Sequence, residues 1–133
     1  MKHIEVVTVP GGDPEAERLE YDIYLAEGYI QPNRQKKVLE NLNYPKFIHF
    51  VARHEQKVVG SLRLVVDPVP RHGLFRLSSF SHFRLENWVD PLLRQVGLEH
   101  VVEVGTMVIR PEYRGSETYL RLFEKAFEYG LMR

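Results

Sequence analysis

Apolar and polar positions alternate with two different periods along this chain, and each change of period marks an element boundary. Ile4 to Val9 reads as a first strand, which Pro10, Gly11 and Gly12 terminate. Asp13 then stands as an N-cap, Pro14 suits the first helical position, and Glu15 and Glu17 complement the positive end of a helix. Leu19, Ile23, Ala26 and Ile30 recur at helical spacing, which predicts a helix ending near Gly28. A shorter helix is expected over Gln35 to Leu42, with Val38 and Leu42 as its apolar contacts. Phe47 to Arg53 and Val58 to Val66 read as two antiparallel strands joined by the polar Glu55, Gln56 and Lys57. Gly60 inside the second of them implies a bulge or a close approach by backbone or ligand.

Asp67-Pro-Val-Pro70 closes that hairpin, and Gly73 to Phe83 is expected as an ordered loop covering a pocket. Leu85 to Val96 carries a short helix whose start Pro91 marks, with Gly97 at its end. His100 to Ile109 is the central-strand candidate. Gly115 to Tyr129 is amphipathic, with Tyr119, Leu120, Phe123, Ala126 and Phe127 as the expected inward stripe. This order predicts an α/β fold with a mixed, largely antiparallel sheet and helices on its faces. It lacks the regular strand–helix alternation of a doubly wound dinucleotide-binding fold.

Composition narrows the function classes. In 133 residues, 18 basic and 18 acidic side chains cancel, so bulk charge makes no case for nucleic acid or a membrane surface. The absence of cysteine excludes disulfides, thiolate metal sites and cysteine nucleophiles, and leaves a reducing compartment as the default. No apolar run approaches the ~20 residues that span a bilayer, and the N-terminus lacks a signal-peptide pattern. A cytoplasmic single domain over residues 1–133 is therefore expected, without membrane insertion. The six histidines, His3, His49, His54, His72, His82 and His100, follow no metal-ligand spacing, and no metal is assigned. Ser78 and Ser79 lack the strand–turn–helix context of a serine nucleophile.

The chemistry-bearing stretch is Val101 to Arg121, VVEVGTMVIRPEYRGSETYLR. An apolar strand carrying one carboxylate runs into a turn and a helix N-terminus, an order that can receive a phosphorylated group. Val108-Ile-Arg-Pro-Glu-Tyr-Arg-Gly115 is similar to the fourth-strand and pyrophosphate-loop signature of the GNAT-like acyltransferase superfamily. With YDIYLAEGYI at Tyr21 to Ile30 and GSLRLV at Gly60 to Val65, the chain most resembles the N-acyl amino acid synthase and acyl-homoserine lactone synthase branches. The resemblance implies an incomplete GNAT-like fold, with the usual C-terminal strands lying beyond these residues.

It also implies acyl transfer from an acyl-coenzyme A, acetyl-coenzyme A or acyl carrier protein thioester to a small-molecule amine. The carrier's phosphate would lie over the amides of Arg114, Gly115, Ser116, Glu117 and Thr118. Backbone N–H groups of Val108, Ile109 and Arg110 would hold the oxyanion, Glu103 would take the amine proton, and Arg63 would bind an acceptor carboxylate. Glu117 and Tyr119 stand where the family motif carries small residues, and Thr106 where its synthase branches often carry arginine. Blander readings stay open at this level: Arg63 and Glu103 as a structural pair, Ser116 as a helix cap, and Phe75, Phe80, Phe83 and Trp88 as packing residues rather than an acyl pocket. So do an acetyl-coenzyme A-dependent amine acetyltransferase and a noncatalytic binding or dimerisation module. The exposed edge expected of the last strand predicts a homodimer.

Overall fold

The computed structural model describes residues 3–43, 46–65, 87–97 and 102–131. Among these residues four strands, β1 (Glu5–Pro10), β2 (Phe47–His54), β3 (Lys57–Val65) and β4 (Glu103–Ile109), form one sheet in sequence order, with every neighbouring pair antiparallel. Helix α1 (Pro14–Ala26) covers one face of this sheet and α3 (Thr118–Leu131) the other, while the short α2 (Val89–Val96) precedes β4. The predicted α/β architecture with a largely antiparallel sheet is the one observed.

Helix α1 begins and ends where local chemistry dictates. Asp13 caps it by accepting the Ala16 N–H at 2.9 Å, with Pro14 inside the first turn. The same aspartate binds Arg53 of β2 at 3.1 Å, so the cap also pins the helix to the sheet. At the far end Gly28 takes φ +78 and lets the Tyr29 N–H reach Tyr24 O and its own N–H reach Leu25 O. That paired closure is a Schellman motif, and the Tyr24 and Tyr29 rings meet edge-on across it.

The β2–β3 hairpin turns through Glu55 and Gln56, both at positive φ, whose twist matches the flanking strands. Ala52 pairs with Gly60 but Arg53 with Val58, so a bulge sits at Val59, next to the predicted glycine. Gly60 is also a close-approach site. A Cβ there would lie 3.1 Å from Val108 O and 3.2 Å from Thr118 Cγ2. Gly60→Val is therefore expected to lower stability by about 1–3 kcal/mol through overpacking, read as a reduced urea midpoint. An unchanged midpoint would mean that α3 and β4 yield freely at this point.

Alternation along β2 separates two cores. Ile48, Phe50 and Ala52 face α3 and join Leu62, Leu64 and Leu122, whereas Val51 faces α1 with Ala16, Leu19, Val58 and Val108. Two expectations need correction. The segment predicted helical over Gln35 to Leu42 forms only a 3₁₀ turn at Leu39–Asn43, because Lys36 adopts φ +54 and interrupts any α-helix through it. On α3 the buried stripe is Leu122, Phe123, Ala126 and Tyr129, while Tyr119, Leu120 and Phe127 are 47%, 65% and 71% exposed. The apolar arc of that helix is wider than the face it buries, and periodicity alone left its rotation free. The predicted closure at Asp67 to Pro70, the loop at Gly73 to Phe83, and His72, His82 and His100 lie outside the described residues. Trp88 is described, and it is exposed.

Candidate functional site

Among the described residues, two clefts open beside α1, and the helix supplies a wall to each. Its first half contributes Glu17 and Glu20 to a cleft of about 250 Å³ that also holds Lys37, Asn41, Phe47 and Arg63. Its second half contributes Ile23, Tyr24 and Glu27 to a more open cleft of about 370 Å³ along Val108, Ile109 and Arg114 at the β4 edge.

Arg63 forms the floor of the first cleft. Its Nε and Nη2 donate to the two oxygens of Glu20 at 3.1 and 2.9 Å, and its guanidinium stacks 3.8 Å above the centre of the Phe47 ring. Arg63 and Glu20 are 3% and 1% exposed, so this is a buried, bidentate ion pair. The sequence-level alternative of an Arg63–Glu103 pair is thus replaced by Arg63–Glu20. Fully buried His49 stands opposite Arg63 in the register. Its Nδ1 accepts the Asp13 N–H at 3.0 Å, which places the proton of the neutral ring on Nε2, 3.5 Å from Glu20 Oε1. Burial acts most strongly on Glu20 and would raise its pKa. His49 and Arg63 together outweigh that effect and hold the carboxyl below its ordinary value. At 3.5 Å the His49 contact is long for a hydrogen bond, so the Arg63 fork is the firmer of the two ties. Glu20 is consequently a fixed anion and a poor proton acceptor.

The rim of this cleft is polar and charge-balanced. Lys37 Nζ lies 3.3 Å from Glu17 Oε2. Thr106, at the position where the resemblance led one to expect arginine, is buried and exchanges hydrogen bonds with the Asn41 side chain at 3.1 and 3.3 Å. That link ties the 3₁₀ turn, which supplies Asn41 to the cleft, to β4. Glu103 starts β4 opposite Val65, and directly opposed residues share a face, so it lies on the Arg63 side of the sheet, partly buried.

At the β4 edge the three proposed oxyanion donors separate. The Arg110 N–H donates to Val59 O at 2.8 Å, and its side chain binds Val58 O. Antiparallel ladders alternate inward and outward amides, so the Ile109 N–H faces the open edge and the Val108 N–H faces β3. Only Ile109 is therefore placed as a donor into the second cleft.

The turn that follows divides in the same way. Arg114 N–H donates to Pro111 O, Ser116 N–H to Tyr113 O, and Thr118 N–H to Ser116 Oγ. Ser116 Oγ donates to Tyr113 O and meets Thr118 Oγ1 at 2.8 Å, so both hydroxyls serve to brace the turn. The N–H groups of Gly115 and Glu117 make none of these bonds and alternate with the engaged ones. Gly115 stands at φ +82 with open space where a Cβ would be. Glu117 pairs with Arg121 at 3.1 Å and Tyr119 packs on Phe123, so neither of the two large residues lines the cleft.

Glu20, Phe47, Lys37, Asn41 and Glu27 had not been singled out from the sequence. Glu20 left a trace: it lies four residues after Ala16 and next to Leu19, within the buried face of α1. Among the described residues no group of three metal-binding side chains occurs, and no helix is long and apolar enough to cross a membrane.

Comparison with known proteins places the fold. No curated protein matches the chain. The crystal structure of the AHL synthase LasI matches it with a TM-score of 0.64 at 14% identity, covering 99% of this chain and 68% of that one, which establishes a shared fold. The model of the family "N-acyl amino acid synthase FeeM" matches residues 15–133. The chain accordingly belongs to the FeeM N-acyl amino acid synthase family, within the GNAT-like acyltransferase superfamily.

Proposed function

We propose that this protein moves an acyl group from a coenzyme A or acyl-carrier-protein thioester to the amine of an amino acid or a related small molecule. The observation that carries this reading is the β4-edge cleft of about 370 Å³, which Ile109, with its amide at the open edge, and Arg114, at the start of the turn, both line. The thioester carbonyl lies against Ile109, and the carrier phosphate lies over the turn. The acceptor occupies the Arg63 cleft. Two basic and two acidic side chains line that cleft as matched pairs, which suits a zwitterion better than a polyanion or a polyamine.

The free amine nitrogen attacks the carbonyl carbon, the C–S bond breaks, and the carrier leaves as a thiolate that takes up the second proton given up by the nitrogen as the amide forms. The ammonium proton passes to Glu103 through intervening water before attack, because six strand steps, about 20 Å of backbone, separate Glu103 from Ile109. Glu20 is excluded from that role because Arg63 and His49 hold it ionised. No covalent acyl-enzyme is required, and positioning with electrostatic stabilisation supplies most of the rate. Dimerisation along the β4 edge fits the same reading, since Val102 and Val104 are exposed there.

The test is product detection by mass spectrometry with acyl-coenzyme A or acyl carrier protein and a mixture of amino acids. The double variant Glu20→Leu/Arg63→Met, which removes the buried pair together, is expected to raise the acceptor KM about 10- to 100-fold while leaving carrier binding intact, a loss of ~1.4–2.7 kcal/mol. Carrier binding without any acylated amine would instead make the protein a noncatalytic carrier-binding module.

A further inference from the structure

We propose that Glu27 is a displaceable counter-charge in the β4-edge cleft, holding Arg114 until a phosphate of the carrier arm takes its place. The inference rests on the thioester reading of that cleft. Arg114 is anchored by its Nε, which donates to Ile109 O at 3.1 Å, while Nη1 and Nη2 both reach the single oxygen Oε1 of Glu27 at 3.4 Å. Charge-assisted bonds of full strength are shorter, about 2.7–2.9 Å, and a carboxylate that used both oxygens would match the guanidinium fork. The pair is loose, and its side chains are 47% and 43% exposed, a setting in which ion pairs contribute little.

Glu27 is also electrostatically misplaced. It is the C-cap of α1, where the helix carries its partial negative charge, and the last turn of that helix holds no basic residue. Arg114 is the cation that offsets it, reaching across 87 positions of sequence. Both side chains line the same cleft, so a phosphate entering over the Gly115 turn meets the guanidinium it needs and the carboxylate that repels it. A phosphate offers Arg114 several oxygens at short range and greater charge, and the exchange leaves Glu27 without its cation at the negative end of α1. Glu27 thus lowers affinity for phosphate-bearing arms and has no effect on the uncharged pantetheine portion. It sets how strongly the cleft depends on a phosphate.

The experiment is titration calorimetry of coenzyme A, 4′-phosphopantetheine and phosphate-free pantetheine against the full chain and its Glu27→Gln, Arg114→Met and doubly substituted forms. Glu27→Gln is a surface change that keeps the fold. It is expected to tighten both phosphorylated ligands about fivefold and to leave pantetheine unchanged, with the gain absent in the Arg114→Met background. Unchanged affinity in Glu27→Gln, or equal tightening of pantetheine, overturns the proposal while the thioester reading survives on the binding by the unmodified protein. Failure of all forms to bind any of the three ligands overturns both.

Discussion

Replacing Glu20 by alanine is expected to destabilise the fold by about 3–5 kcal/mol, the cost of leaving a buried charge without its partner. Arg63 is 3% exposed and finds its counter-charge in Glu20, so removal strands a guanidinium between α1 and the sheet. Glu20→Gln is expected to recover only part of the loss, because the amide keeps the shape but not the charge. The double variant Glu20→Leu/Arg63→Met removes both charges and should lie much closer to the unmodified protein. Urea unfolding measures all three. Single variants within 1 kcal/mol of the parent would show that water reaches Arg63 freely.

The same pair sets the acid limb of stability. The carboxyl of Glu20 is held below its ordinary value in the folded state, so the unfolded state binds more protons as pH falls. Its contribution is fully present above the unfolded carboxylate range and is lost as pH drops through the lower, folded value. In Glu20→Leu/Arg63→Met that part of the acid limb should be absent. An unaltered profile would assign acid sensitivity to other carboxylates.

Ile109→Pro is expected to reduce acyl transfer by about 10²–10³-fold, the effect of deleting one oxyanion donor. The ladder bond at this end of β4 is made by Arg110, whose N–H donates to Val59 O, so the amide removed here is the one at the open edge. Proline is tolerated at such edge positions. Ile109→Val retains the amide and should retain the rate. A proline variant with unchanged kcat would mean that the carbonyl is polarised elsewhere.

Much of the fold is legible in the sequence. The hairpin polarity, the Asp13 cap, the Gly28 stop and the bulge beside Gly60 are local events, governed by the few residues on either side. The site was legible only where it, too, was local. The turn from Arg114 to Thr118 is written in consecutive residues, and its position after β4 follows from the strand that precedes it. Arg63 was visible as a charge in an apolar strand, but its partner was not. Glu20 lies 43 positions away, and its proximity follows from α1 packing across β3. Glu27 and Arg114, 87 positions apart, meet for the same reason.

The chain by itself determined the order of the strands, the two ends of α1, the turn that follows β4 and the family resemblance, because each depends on neighbours in sequence. Tertiary structure decided which carboxylate neutralises Arg63, which face of α3 is buried, and which of three adjacent amides faces the cleft. Those outcomes depend on the rotation and register with which distant segments pack, and a periodic pattern constrains neither once several side chains of similar polarity compete for the same face.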